Sequence, residues 1–151
     1  MRTGRWVLAV LLLAAPFAVP AAGGEAGPSP SALRVFADLE RFWSAGRADS
    51  ILLRVCPEDI RLSFRRIGPR DGTFDHSQAE YLLRDLFTFT ATDSFFLVRY
   101  EYDPEGGGPP EAVGHWYFQG ARGVEREARV ILELAPLNGA WGLRRIDARE
   151  W

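Results

Sequence analysis

The spacing of apolar positions divides residues 31–147 into a helical first part and a strand-rich second part. Between residues 31 and 43 apolar side chains recur at i, i+3, i+4 and i+7, which predicts an amphipathic helix facing a core. Gly46 then provides a typical residue for the end of a helix. A second, short helix is predicted over residues 49–56, because Pro57 closes it.

A strand, a turn and a third helix are predicted next. Apolar and polar side chains alternate over residues 60–65, as in a half-buried strand. Residues 68–72 combine Gly, Pro and Asp and indicate a turn. Ser77 and Glu80 have the spacing of a capping box and precede an apolar helical stripe in residues 79–86. We therefore expect a third helix that is capped by Ser77.

The second part of the chain predicts four more strands, at about 94–103, 111–120, 125–134 and 140–147. If Tyr100 lies opposite Gly114, one face of the resulting sheet is apolar and the other is mixed. The apolar face would carry Phe96, Val98, Tyr100, Tyr102, Ala112, Gly114, Trp116, Phe118, Ala128, Val130, Leu132 and Leu134. Ile146 breaks the alternation on the last strand, so we expect a bulge near Arg144. Helices followed by an antiparallel meander predict an α+β domain, with the helices on one face of a curved sheet.

The N-terminal residues have the composition of a secretory signal peptide. Arg2 and Arg5 precede an apolar run, and small residues follow it, so that cleavage fits after Ala21 or after Gly23. The apolar run has about 14 residues, whereas a membrane span needs roughly 20, which favours cleavage over an uncleaved anchor. We therefore expect a signal peptide at 1–23, a linker at 24–30 and a single domain at 31–151. The mature protein would be exported, periplasmic or secreted, without membrane contact.

Composition and charge exclude some classes of function. The 47% of apolar and 25% of charged residues are typical of a globular protein, and a net charge of −2 disfavours nucleic-acid binding. One basic cluster is present, and we expect its members to pair with the abundant acids: Arg61, Arg65, Arg66 and Arg70. Cys56 is the only cysteine, so no intramolecular disulfide can form, and its apolar surroundings in sequence predict a buried, inert thiol.

Aromatic residues provide the candidate binding site. Five aromatic residues have two interpretations: they line a lipophilic pocket for a small apolar ligand, or they simply fill the core. They are Tyr100, Tyr102, Trp116, Phe118 and Trp141. The candidate acid–base residues are His115, which strand parity places on the mixed face, and His76, which precedes the third helix. Two histidines so far apart do not indicate a metal site, and we expect no cofactor.

Several stretches of the chain resemble the nuclear transport factor 2-like, or ketosteroid isomerase-like, superfamily. They are residues 42–49 (FWSAGRAD), 57–62 (PEDIRL) and 138–143 (NGAWGL). Residues 77–87 (SQAEYLLRDLF) and 141–146 (WGLRRI) resemble an uncharacterised family of small exported bacterial proteins, domain of unknown function 4783. The resemblance implies a cone-shaped fold, with three N-terminal helices packed on a curved, mainly antiparallel sheet and a pocket between them. It implies no activity, because this fold serves many functions.

Three functions remain open from the sequence. The first is an exported, non-catalytic binding or interaction module with an aromatic, apolar cone pocket. The second is a small isomerase or dehydratase that uses His115 or His76 with a tyrosine. The third is a structural or accessory domain that acts through the mixed outer face of the sheet, which would also fit a homodimer. That face is expected to carry five apolar or aromatic side chains: Phe95, Leu97, Val113, Tyr117 and Ile131.

Overall fold

The computed structural model describes residues 30–68, 70–103 and 105–151; the predicted signal peptide and residues 24–29 of the predicted linker lie outside them. The described residues form three helices, α1 (Pro30–Ser44), α2 (Ala48–Leu52) and α3 (His76–Phe89). They also form six strands, β1 (Ile60–Arg65), β2 (Gly72–Phe74), β3 (Ala91–Glu101), β4 (Glu111–Gln119), β5 (Glu125–Leu137) and β6 (Ala140–Glu150). Within the described ranges, every helix is too short or too polar to span a bilayer.

The first helix matches its prediction, and the second is shorter than predicted. The apolar stripe of α1 is buried from Ala32 to Trp43. The second helix ends at Leu52 instead of residue 56, because the chain after it bonds to β6. The backbone N–H of Cys56 donates to the carbonyl of Leu143 over 3.0 Å, and the N–H of Leu143 donates to the carbonyl of Arg54 over 2.6 Å. These hydrogen bonds take the place of another helical turn.

The cap of the third helix differs from the expected one. Asp75, not Ser77, is the N-cap residue: its side chain accepts from the N–H of Gln78 over 2.9 Å. The side chain of Gln78 in turn accepts from the N–H of Asp75 over 3.2 Å, which completes a capping box. Glu80 instead pairs with Arg84 one turn later. The helix therefore begins at His76.

The six strands form one mainly antiparallel sheet in the order β2-β1-β6-β5-β4-β3. The pair of β1 and β6 is parallel, and the other neighbouring pairs are antiparallel. The three-residue strand β2 was not predicted. The bulge near Arg144 is confirmed, because Glu133 lies opposite Arg145 while Leu134 lies opposite Leu143, which leaves Arg144 as the extra residue.

The predicted register of β3 is wrong. Tyr100 lies opposite Ala112, not Gly114, because the hairpin closes with Glu101 opposite Glu111. Further from the hairpin loop, two bulges add one residue each to β3, at Val98 and at Asp93. One bulge is tied to α1, since the N–H of Leu97 donates to the carboxylate of Glu40 over 2.7 Å. Each added residue reverses which face the following side chains occupy.

The bulges exchange the faces of four side chains on β3. Phe95 and Leu97, expected on the outer face, lie on the inner face that the helices cover, and Phe95 is only 4% exposed. Phe96 and Val98, expected on the inner face, are exposed on the outer face, with Phe96 at 41%. Strands β4 and β5 follow the prediction. Their buried inner-face residues are Ala112, Gly114, Trp116, Phe118, Ala128, Val130, Leu132 and Leu134.

Candidate functional site

Aromatic rings pack against one another between the helices and the inner face of the sheet. The ring of Trp43 on α1 lies 5.2 Å from that of Trp116, edge to face, and 5.1 Å from that of Phe95. Phe87 on α3 contacts Trp43 with 5.4 Å between centroids, and Phe118 stacks on Trp116 at 4.1 Å. These five residues are the aromatic cluster of the core.

The aromatic cluster fills the part of the inner face where a cone pocket was expected. Trp116 and Phe118 are fully buried, and the indole N–H of Trp116 donates to the hydroxyl of Thr92 over 3.0 Å. Neither Trp116 nor Phe118 lines any of five open clefts on the described part of the chain. In this arrangement the two rings act as core residues.

Two of the five expected binding residues lie in a common cleft. Tyr100 and Tyr102 line a cleft of about 540 Å³ at the end of β3. Its other lining residues are Glu101, Asp103, Gly108, Pro109 and Glu111. Trp141 is half-buried opposite Pro136 in the β5–β6 pair and does not line this cleft. The structure thus brings Tyr100 and Tyr102 together and places the other three elsewhere.

Glu111, in the wall of this cleft, lies near the buried carboxylate of Glu133, which the sequence did not reveal. The pKa of Glu111 is raised, mainly by burial. The nearby Arg145 opposes this shift, and Glu133 adds to it. The guanidinium of Arg145 lies 2.6 Å from Glu111 and 3.0 Å from Glu133. Glu133 is buried although it belongs to the outer face of the sheet. Its burial depends on Arg145 and on the bulged Arg144, which lies 3.3 Å away.

The outer face of the sheet carries a row of partly exposed rings. We call this set the aromatic ladder; it consists of Phe96, His115, Tyr117 and Trp151. Phe96 stacks on His115 at 5.9 Å and on Tyr117 at 6.0 Å, and Trp151 lies 5.8 Å from His115. Trp151 is 71% exposed. Contiguous exposed rings of this kind are typical of an interaction surface.

His115 lies on the outer face, as the strand parity of β4 predicted. Its Nδ1 is 3.1 Å from a carboxylate oxygen of Glu127. A hydrogen bond with the same carboxylate raises the pKa of Tyr117. His115 also lines a cleft of about 430 Å³ with Arg99 and Arg129. This arrangement could orient an imidazole, but it lies outside the cone.

The remaining candidates are more ordinary. His76 is exposed in the first turn of α3. Cys56 is a buried free cysteine, as predicted, and burial raises the pKa of its thiol. Among residues 30–68, 70–103 and 105–151, no three His, Cys, Asp or Glu side chains are grouped as metal ligands.

The basic cluster is only partly paired with acids, which corrects the expectation. Arg65 lies 4.0 Å from Asp71. Arg61, Arg66 and Arg70 form no ion pair with any residue in the described part of the chain.

Solved structures similar to this one establish the fold. A DUF4783 family protein from Bacteroides ovatus superposes with a TM-score of 0.61 at 15% identity, over 76% of this chain and 94% of that one. A DUF4783 family protein from Bacteroides uniformis superposes with a TM-score of 0.64 at 10% identity, over 76% of this chain and 95% of that one. A ketosteroid isomerase-like protein from Erwinia carotovora atroseptica superposes with a TM-score of 0.64 at 9% identity, over 80% of this chain and 93% of that one. The chain has the nuclear transport factor 2-like fold.

These likenesses concern the fold and carry no activity. No protein-family model matches the sequence, and no curated protein matches it. Within the nuclear transport factor 2-like fold, both binding modules and enzymes occur, so the choice between them depends on the residues of this chain.

Proposed function

We propose that this chain is an exported, non-catalytic interaction module that pairs with a second copy of itself through the outer face of its sheet. The observation that carries the proposal is the aromatic ladder. In the described part of the chain, the helices cover the inner face, and no helix or strand covers the ladder. Pairing with another copy would remove exposed rings such as Phe96 and Trp151 from water, which favours association.

The charges around the aromatic ladder support self-pairing. Both signs occur side by side on the outer face: Arg99 pairs with Glu101, and Arg149 lies 3.3 Å from Asp147. Arg129 lies opposite His115 on the neighbouring strand. A two-fold axis brings the same surface patch against itself, so a patch with both signs can place cations opposite anions. A patch of a single sign would repel its copy.

The inner face supports a non-catalytic role. Acid–base catalysis needs a titratable group in a water-restricted cleft, with a second group to stabilise charge. The aromatic cluster occupies the middle of this face. At one edge, Arg126 and Glu150 form an ion pair, with 2.6 Å between Nε and Oε1, and the hydrogen bond from Arg126 lowers the pKa of Glu150, which favours its charged form over a general acid.

Export rests on the sequence of residues 1–23. The two arginines, the short apolar run and the small residues before Glu25 support cleavage and release. We propose that the mature chain works outside the cytoplasm.

A small apolar ligand on the inner face is part of the same proposal. Its binding residues would be Tyr100, Tyr102, Trp116, Phe118 and Trp141. Tyr100 and Tyr102 are accessible in their cleft, so a ligand would meet them first. Trp116 and Phe118 could contact it only if the aromatic cluster opened. A ligand that quenches tryptophan fluorescence in the wild type and loses affinity in Tyr100→Ala would support this part.

The second candidate is an isomerase- or dehydratase-like enzyme. It is favoured by the contact of 3.1 Å between His115 and Glu127, and by Tyr117 beside them. Such an enzyme would catalyse deuterium exchange next to the carbonyl of a probe ketone such as cyclohexanone in D2O. The exchange would disappear in His115→Gln. The interaction module predicts no exchange above the buffer rate in either protein.

Sedimentation velocity of the mature chain tests the pairing. We expect a dimer for the wild type and a monomer for Phe96→Lys, because the new charge would be buried in the interface. Tyr81→Lys is the matched control, since Tyr81 is an exposed aromatic residue on α3, away from the ladder. It should remain a dimer. A wild type that stays monomeric up to high micromolar concentration would overturn the proposal.

A further inference from the structure

An apolar cleft lies between α3 and the hairpin of β1 and β2, on the helical side of the sheet. Its volume is about 430 Å³. We call it the α3 cleft; its lining residues are Arg70, Phe74, Ser77, Gln78, Tyr81 and Leu82. It shares no lining residue with the aromatic ladder or with the cleft of Tyr100 and Tyr102.

The sequence builds this cleft from the helical repeat and from one glycine. Gln78, Tyr81 and Leu82 are three and four residues apart, so they project from one flank of α3. Gly68 brings the hairpin close to the helix, since a Cβ atom at this position would lie 2.7 Å from Cδ1 of Leu86. The chain between β1 and β2 therefore contacts α3 near the helix's C-terminal end, and Phe74 forms the wall opposite the first turns.

The walls of the α3 cleft are suited to an apolar group. Tyr81 is 70% exposed, and Phe74 and Leu82 are half-buried. Two aromatic rings and one leucine thus meet solvent around a concave space. The volume falls within the range of about 300–1,000 Å³ that is usual for small-molecule sites.

Arg70 is the only charged residue that lines this cleft. It forms no ion pair with the described residues, and the acids near it in sequence are already engaged. Asp71 accepts from the N–H of Phe64 over 2.9 Å, and Asp75 caps α3. A guanidinium presents paired N–H donors that match a carboxylate, so an unpaired arginine beside an apolar wall favours an anion with an apolar tail.

We propose that the α3 cleft binds an apolar monocarboxylate. The aryl or alkyl group lies between Phe74, Tyr81 and Leu82, and the carboxylate bonds to the guanidinium of Arg70. The hydroxyl of Ser77 provides a further polar contact at the wall. This site is independent of pairing through the outer face, and each can fail without the other.

The test uses 3-phenylpropionate as the probe and its neutral amide as the matched ligand, titrated against the 15N-labelled mature chain by NMR. We expect saturable shifts at residues 70–82 with the acid. The amide should bind about tenfold more weakly, the ratio that corresponds to one charge-assisted hydrogen bond. Arg70→Gln should weaken the acid to the level of the amide. Arg61→Gln, which removes another unpaired arginine, on β1, should leave the affinity unchanged.

Tyr81→Ala separates binding from folding. Alanine is a good helix former and Tyr81 is exposed, so the variant should fold as the wild type does, with severalfold weaker binding of the acid. Three results would each overturn the proposal: no saturable shift in the wild type, equal affinities for acid and amide, or equal affinities in Arg70→Gln and Arg61→Gln.

Discussion

Replacing Trp116 by alanine removes the centre of the aromatic cluster. The side chain is fully buried, and its ring lies 5.2 Å from that of Trp43 and 4.1 Å from that of Phe118. The substitution leaves a cavity between α1, α3 and the sheet, and Thr92 loses its indole donor. Truncations of this kind cost about 3–5 kcal/mol. Because small domains have a total stability of about 5–15 kcal/mol, Trp116→Ala should remove a large part of it.

Urea unfolding followed by circular dichroism measures this loss. The wild type and the variant are compared at one chain concentration, because self-association makes stability depend on concentration. Phe89→Ala is the control, since Phe89 is an exposed aromatic residue on α3 and should change the free energy of unfolding by less than about 0.5 kcal/mol. A loss below about 1 kcal/mol for Trp116→Ala would refute the closely packed inner face.

Three further predictions test the register, an ion pair and the thiol. Gly114→Ala should destabilise the fold by about 1–3 kcal/mol, because its Cβ would lie 2.7 Å from the ring of Phe95 and 3.0 Å from a backbone carbonyl. The control Gly108→Ala should be neutral, because its Cβ would meet no atom within 4 Å. Urea unfolding of both variants measures the two changes in stability. The hydrogen bond from Arg126 lowers the pKa of Glu150 in the folded state. The ion pair therefore stabilises the fold fully above the ordinary carboxyl pKa, and this stabilisation is lost as the pH falls through the lowered pKa of Glu150. The melting temperatures of the wild type and Glu150→Gln should therefore differ at neutral pH and converge in acid; a constant difference contradicts the pair's role. Burial raises the pKa of the Cys56 thiol, so iodoacetamide should modify it in urea but not in buffer, as mass spectrometry would show; rapid modification in buffer would mean that the thiol is accessible.

The parts of the fold that the sequence predicted well are those where one face is plainly apolar. In α1 the apolar positions recur at helical spacing, and in β5 polar side chains at Glu127, Arg129 and Glu133 mark the outer face, so one pattern fits and the structure follows it. The run of apolar side chains at residues 95–98 of β3 fits either face, and the bulges at Asp93 and Val98 decide between them. Alternation alone cannot locate such bulges, because they depend on contacts far away in sequence, such as that of Glu40 with Leu97.

Bulges and distant contacts also limit how far the sequence predicts the candidate sites. Strand parity placed His115 correctly, since β4 contains no bulge in its pairing with β5. It placed Phe96 on the wrong face, and so the aromatic ladder was not expected from the sequence. The burial of Glu133 depends on Arg144 and Arg145, which a bulge brings to it. The α3 cleft depends on Gly68 and on the strand β2, whose three residues are too few to show a pattern.

Native mass spectrometry of the processed chain, isolated from the envelope of its own cells, tests the central claim most directly. We expect an N-terminus near residues 22–25 and a mass of two processed chains. The dimer should dissociate into single chains when Phe96→Lys replaces the wild type. A processed chain that has the mass of one copy at every concentration, or that retains its first residues in the envelope, would contradict the account.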